Sequence, residues 1–162
     1  MPRPILLALL LALAAPSAAA AQSTTGVGFG AGEFDGAAPV EVAADSLEVD
    51  QASGRAVLTG NVAVAQGDLR LSAREVVVDY ATGGGDRRIE RMRATGDVVI
   101  VAGDDAAEGQ EAVYELGTGE IVLSGDVLVT QGGSTLAGER LRVDLRTGSG
   151  TVTGRVRTVL QP

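Results

Sequence analysis

The chain has 162 residues, with 21 acidic residues against 13 arginines, no lysine and a formal net charge of −8. That balance argues against a nucleic-acid partner, which selects a basic face. The absence of histidine and cysteine removes the common catalytic triads, thiolate or imidazole metal sites and any disulfide, so an exported form would depend on packing alone.

In chain order, residues 1–21 read as a signal peptide. Arg3 supplies the positive start, Ile5 to Ala15 an apolar run, and Ala18 to Ala21 small-residue cleavage sites before Gln22. The run is too short for a comfortable membrane span; an uncleaved anchor is the competing reading. Residues 22–38 are rich in Gly, Ala and Thr without periodicity and read as a flexible lead-in. From residue 39 to 162 the pattern is all β. Apolar and polar residues alternate in Val40-Glu-Val42, Leu47-Glu-Val49, Val98-Val-Ile100, Ile121-Val-Leu123, Val127-Leu-Val129 and Leu141-Arg-Val143, with turn-forming residues between them. Only Tyr80 and Tyr114 bring aromatic rings to this region, so Val, Leu, Ile and Ala must build the core.

The β region repeats. An acid followed by Ser/Thr-Gly occurs as Asp50-Gln-Ala-Ser-Gly54, Asp79-Tyr-Ala-Thr-Gly83, Glu115-Leu-Gly-Thr-Gly119 and Asp144-Leu-Arg-Thr-Gly148, with starts 29, 36 and 29 residues apart. A second mark follows each: Thr59-Gly60, Thr95-Gly96, Ser124-Gly125 and Thr153-Gly154. One 29-residue period with a seven-residue insertion in the second copy accounts for these positions. Such a period means stacked units that bury their apolar faces only against neighbours. Each unit is expected to give two strands, one ending at the acidic turn and the other beginning near the Thr/Ser-Gly pair. Residues two apart share a face, which aligns Val62/Val64, Val98/Ile100 and Val127/Val129, and likewise Leu47/Val49, Val76/Val78, Ala112/Tyr114 and Leu141/Val143. The other face is polar except at Val77 and Val113.

The acidic turns have a plain structural cause, since Asp and Ser/Thr side chains bond nearby backbone and Gly takes a positive φ. The alternative, a calcium loop, is disfavoured because each turn offers one carboxylate and calcium wants six or more oxygens. No catalytic constellation is present, and no metal or cofactor is expected. Arg87, Arg88, Arg91 and Arg93 lie in and just after the insertion. They read either as an exposed charged loop or as a clamp for phosphate, to which guanidinium geometry is suited. The aligned valines make an apolar trough that is either a dry core or a site for acyl chains. The last strand comes close to Pro162 without a polar cap, and an exposed edge invites a second copy.

Several strings together resemble the OstA-like family of periplasmic lipopolysaccharide-transport proteins, of the LptA type. They are Pro39-Val-Glu-Val-Ala-Ala-Asp-Ser-Leu-Glu-Val-Asp50, Leu58-Thr-Gly-Asn-Val-Ala-Val-Ala-Gln-Gly67, Leu71-Ser-Ala-Arg-Glu-Val-Val-Val-Asp79 and Glu108-Gly-Gln-Glu-Ala-Val-Tyr-Glu-Leu116. The resemblance spans nearly all of the chain after the signal peptide. It implies a β-jellyroll, a solenoid-like stack of antiparallel strands open along one side, with lipopolysaccharide acyl chains held inside. It also implies a periplasmic location, head-to-tail self-association, and bridging between an LptC-type inner-membrane protein and an LptD-type outer-membrane protein. The family's lipid-contacting positions in the first strand fall on Val40 and Val42. The register adds Val62, Val64, Val98, Ile100, Tyr114, Val127 and Val129. The family often carries more aromatic residues in the trough than this chain does. The cleavage pattern separates the chain from an anchored LptC-type relative, and its end at Pro162 from an LptD-type relative that continues into a barrel. Two other readings compete: a self-assembling β-solenoid scaffold without lipid cargo, and a surface hydrolase, which would need acids clustered inside a groove rather than at turns.

Overall fold

The computed structural model describes residues 24–161 apart from 31–33, 84 and 86; the expected signal peptide lies outside the described residues. Eleven strands run in chain order as β1 (Thr24–Gly28), β2 (Glu41–Ala43), β3 (Ser46–Asp50), β4 (Arg55–Gln66), β5 (Leu69–Tyr80), β6 (Ile89–Ala102), β7 (Asp105–Glu115), β8 (Glu120–Gln131), β9 (Ser134–Asp144), β10 (Ser149–Thr153) and β11 (Arg157–Val159). They form one antiparallel sheet in the order β1-β10-β9-β8-β7-β6-β5-β4-β2, with β3 also on β4 and β11 also on β9. Among the described residues there is no helix. The chain is all-β, as the strand alternation predicts, and the sheet does not close on itself, as the family resemblance implies.

A single sheet without helices buries one face only by folding over on itself, and the long strands do this at a common corner. Pairing of β4 with β5 jumps from Thr59↔Glu75 to Val62↔Ala73. The same shift recurs between Thr95 and Val98 on β6 and between Ser124 and Val127 on β8. At each corner two successive residues take positive φ: Gly60 at 81° and Asn61 at 45°, Gly96 at 82° and Asp97 at 47°, Gly125 at 85° and Asp126 at 48°. Glycine removes the Cβ conflict of that region, and Asn and Asp tolerate it better than other residues. At the fourth corner Arg155 fills the second place, at 42°, and pairs with Glu139 at 2.7 Å. Three of the four Thr/Ser-Gly marks are therefore corners within continuous strands, and at the fourth the strand breaks, with β10 ending at Thr153 and β11 starting at Arg157. The expectation that strands begin there is corrected: β4 starts at Arg55 and β8 at Glu120.

The corners divide the sheet into two limbs. The first contains residues 55–59 of β4 and their partners. The second contains residues 62–66 and their partners, joined by two-residue hairpins at Gly67-Asp68, Gly103-Asp104 and Gly132-Gly133. The inward faces meet in one core. It takes Ala56, Leu58, Val76, Val78, Met92, Ala112, Ile121, Leu123, Leu141 and Val143 from the first limb, and Val62, Leu71, Val98, Ile100, Ala107, Val127, Val129 and Leu136 from the second. Outward residues are mostly polar or half-buried, with Leu128 an exposed apolar exception; Val77 and Val113 flank Arg93 in one cross-strand row. Exposed pairs such as Arg55–Asp79 at 2.9 Å and Arg142–Glu120 at 2.9 Å decorate that face, each adding at most about 1 kcal/mol. At the acidic turns, Asp50 Oδ1 accepts from Ala52 N–H at 2.9 Å and Asp144 Oδ1 from Arg146 N–H at 2.9 Å. The Ser53 hydroxyl and the backbone amides of Ala52 and Ser53 hold the Asp50 carboxyl below its ordinary pKa. The carboxylates serve as local turn locks.

The segment read as a lead-in over 22–38 is partly strand. β1 pairs with β10, five residues from each, and Phe29 is fully buried in the core. The Gly- and Thr-rich composition hid this, because the pairing satisfies backbone groups at the far end of the sheet rather than packing a patterned apolar face.

Candidate functional site

The side of the fold opposite the corners is where the limb tips approach without pairing, and of the segment after β1 the described residues 29–30 and 34–38 lie across it. Phe29 N–H donates to Gly148 O at 2.9 Å on a first-limb tip, and Gly30 N–H to Asp105 Oδ2 at 2.8 Å on the second limb. Farther along, the Gln66 amide donates to Gly36 O at 3.2 Å and Ala38 O at 3.1 Å. Gln131 grips Gly28 O in the same manner. Both glutamines precede a hairpin glycine, so the recurring Gln-Gly pair ties this segment across the open side. Beside it lies an open recess of about 570 Å³, lined by Ala38, Val40, Gln66, Ile89 and Leu116 among others, with Arg88 and Glu90 at its polar part.

Gln66 is buried, and its carbonyl accepts the Tyr114 hydroxyl at 2.8 Å. The two limbs are thus joined inside the trough by a polar link in an otherwise apolar core. Burial pushes the Tyr114 phenol up from 10.0 to about 12, opposed by Arg146. A raised phenol pKa means the folded state keeps a proton that the unfolded chain releases. This stability is complete below pH 10 and is lost as pH rises toward 12, by about 2 kcal/mol. Alkaline unfolding of the wild type should show that loss, and Tyr114→Phe should remove it. Gln66→Ala leaves the hydroxyl without its partner and should cost roughly 1–3 kcal/mol in urea unfolding. If Gln66→Ala unfolds at the wild-type midpoint, the link contributes nothing.

The structure places the expected trough residues unevenly. Val62, Val64, Val98, Ile100, Tyr114, Val127 and Val129 all point inward and are between 0 and 5% exposed. They form the floor and are covered by one another. Val40 lines the recess. Val42 pairs with Val64 and so shares its inward face, but it stands at the sheet edge and is 39% exposed. Leu47 and Val49 are likewise paired with the buried Leu58 and Ala56, yet are 61% and 52% exposed. The apolar interior is therefore uncovered at the β2–β3 end.

The family model for "LptA/(LptD N-terminal domain) LPS transport protein" matches residues 41–149. The chain belongs to this family. An uncharacterized protein of Rhizobium meliloti (strain 1021) is 32% identical over 90 residues, 52% of this chain and 48% of that protein. The chain thus spans about half the length of that curated relative. The crystal structure of LptH, the LptA-homologous periplasmic component of the lipopolysaccharide transport device of Pseudomonas aeruginosa, matches with a TM-score of 0.71 at 25% identity. That match covers 80% of this chain and 99% of LptH. The jellyroll implied by the sequence resemblance is the fold of this LptA-type chain.

The arginines of this LptA-type chain do not form one cluster. Arg87 and Arg88 stand at the first-limb tip beside the open side, whereas Arg91 and Arg93 lie outward on β6. Arg91 is hydrogen-bonded to Glu115, which raises its pKa further. Gln66, Ile89 and Leu116 were not singled out from sequence. The repeated Gln-Gly string was the available signal for Gln66; Ile89 and Leu116 sit beside turns and break no pattern.

Proposed function

We propose that this chain is a periplasmic carrier that holds lipopolysaccharide by its acyl chains in the jellyroll trough. It passes the lipid along copies stacked end to end between an inner-membrane LptC-type protein and an outer-membrane LptD-type protein. The observation that carries the reading is the apolar face that runs through the whole sheet and emerges uncovered at Val42, Leu47 and Val49. Acyl burial supplies the affinity at ~0.8 kcal/mol per CH₂. Chains would enter along the open side past Val40, where lifting the segment at residues 34–40 gives access to the floor valines. Arg87 and Arg88 stand near enough to the open side to meet the lipid's phosphates. The tightly covered floor favours a second reading, a lipid-free structural scaffold. Native mass spectrometry of the mature chain purified from its own envelope separates them. A co-purifying mass of lipid A or lipopolysaccharide is expected, with crosslinks from a photoreactive residue at position 40. A clean lipid-free protein that ignores added lipopolysaccharide leaves only the scaffold.

A further inference from the structure

The first strand stands where the sheet would continue. Within the repeat, residues 75–79 of β5 lie on β4 in the register Arg55↔Asp79 to Thr59↔Glu75. β1 lies on β10 in the matching register, Ser149↔Gly28 to Thr153↔Thr24. The bond that follows is also reproduced: Phe29 N–H to Gly148 O at 2.9 Å repeats Tyr80 N–H to Gly54 O at 2.9 Å. Thr25 and Val27 thus take inward places that Val76 and Val78 hold in the repeat. As an occupant, β1 is weak. Its sequence is Thr-Thr-Gly-Val-Gly, with two strand-disfavouring glycines, and Gly28 stands where the repeats carry the turn-locking acid.

One other segment fits the same place. Among the described residues β3, Ser-Leu-Glu-Val-Asp, pairs only with β4, and none of them covers its far edge. Its Leu47 and Val49 are inward-facing but exposed, and it ends on a turn-locking Asp50. Six antiparallel steps separate β4 from β10, so the two strands run the same way, and β3 and β1 both run opposite to them. A second copy stacked in the same orientation would therefore bring its β3 onto β10, in the register and direction that β1 now has. With β1 left in place, the incoming β3 would lie parallel to it and break the alternation that runs through the sheet. On the other limb no described residue pairs with the outer edge of β11, which among the described residues pairs only with β9 and offers that edge to an incoming β2.

We infer that β1 is an intramolecular stand-in for β3 of a second copy, and that stacking requires its displacement from β10. This rests on the head-to-tail part of the proposed function and adds the step that controls it. The affinity between copies is lowered by the fraction of molecules in which β1 is seated.

The test locks and loosens that strand in the full mature chain, read by sedimentation velocity over a concentration series. Gly26 and Thr151 are cross-strand partners, and a Cβ at Gly26 has open space, with Gly150 O nearest at 4.0 Å. The chain has no cysteine of its own. The pair Gly26→Cys, Thr151→Cys, when oxidised, should stay monomeric where the reduced form and wild type associate. Val27→Asp, which unseats β1, should tighten association by roughly tenfold or more. Leu47→Asp should weaken it while leaving β1 untouched. Equal association of the oxidised and reduced lock overturns the inference but leaves stacking intact. Monomers in every form, Val27→Asp included, overturn the inference together with stacking, while lipid carriage is still judged by the co-purifying mass.

Discussion

Val129→Asp is expected to strip the protein of bound lipopolysaccharide and to lower its stability by on the order of 4 kcal/mol. Val129 lies in the floor of the second limb between Ala107 and Leu136 in the cross-strand ladder, both buried. Gln66 is the buried polar residue among those described, and it is already engaged with Tyr114 and the segment at Gly36 and Ala38. A carboxylate at position 129 would have no partner, so it would either remain protonated at neutral pH or open the limbs to water. Val129→Ala removes packing without adding charge and should cost roughly 2 kcal/mol. Urea unfolding measures the stability difference, and native mass spectrometry measures lipid per protein. Val42→Asp separates the two effects, because Val42 is at the exposed edge. It should leave the unfolding midpoint within about 0.5 kcal/mol of wild type and still reduce lipid loading. A folded Val129→Asp and a Val42→Asp that both carry wild-type amounts of lipid would sink the trough reading.

The second large effect is expected at a corner. Gly125→Val should destabilise by about 3 kcal/mol or more, through two causes that add. At φ 85° a side chain conflicts with its own backbone, worth ~1–2 kcal/mol and more for a β-branched residue. A Cβ there would also lie 2.8 Å from Gln110 Cβ and 3.0 Å from its Cγ, so the neighbouring strand must shift. Gly132 provides the control. Its φ is 56° and nothing lies within 4 Å of a Cβ, so Gly132→Val carries the backbone conflict alone. Equal unfolding free energies for the two variants would mean that close approach at the corner contributes nothing. A larger loss at Gly125 shows that the fold-over depends on it.

Much of this chain was legible from spacing. The 29-residue period, the inward series through Val76/Val78 and Leu141/Val143, and the turn-locking acids follow from local chemistry: alternation sets the face of a strand, and Asp with Ser/Thr and Gly sets a tight turn. The family strings were legible for the same reason, since they contain the corners and hairpins that every repeat needs. The corner itself was not legible, because apolar alternation runs on from Leu58 to Val62 and gives no sign that the strand turns between them. Only the paired positive φ values at Gly60 and Asn61 show it. Gln66 likewise gained its role from residues distant in sequence, Tyr114 on the opposite limb and Gly36 and Ala38 on the crossing segment. β1 was hidden most completely. In Thr-Thr-Gly-Val-Gly two glycines offset the β-favouring Thr and Val and no apolar alternation announces a strand; it becomes one because β10 leaves backbone donors and acceptors free more than a hundred residues away. Sequence by itself determined which residues face inward, since that depends on neighbours two positions apart. The tertiary structure decided where the sheet folds, what crosses its open side and which edge stays free, since each depends on contacts between segments that no local pattern encodes.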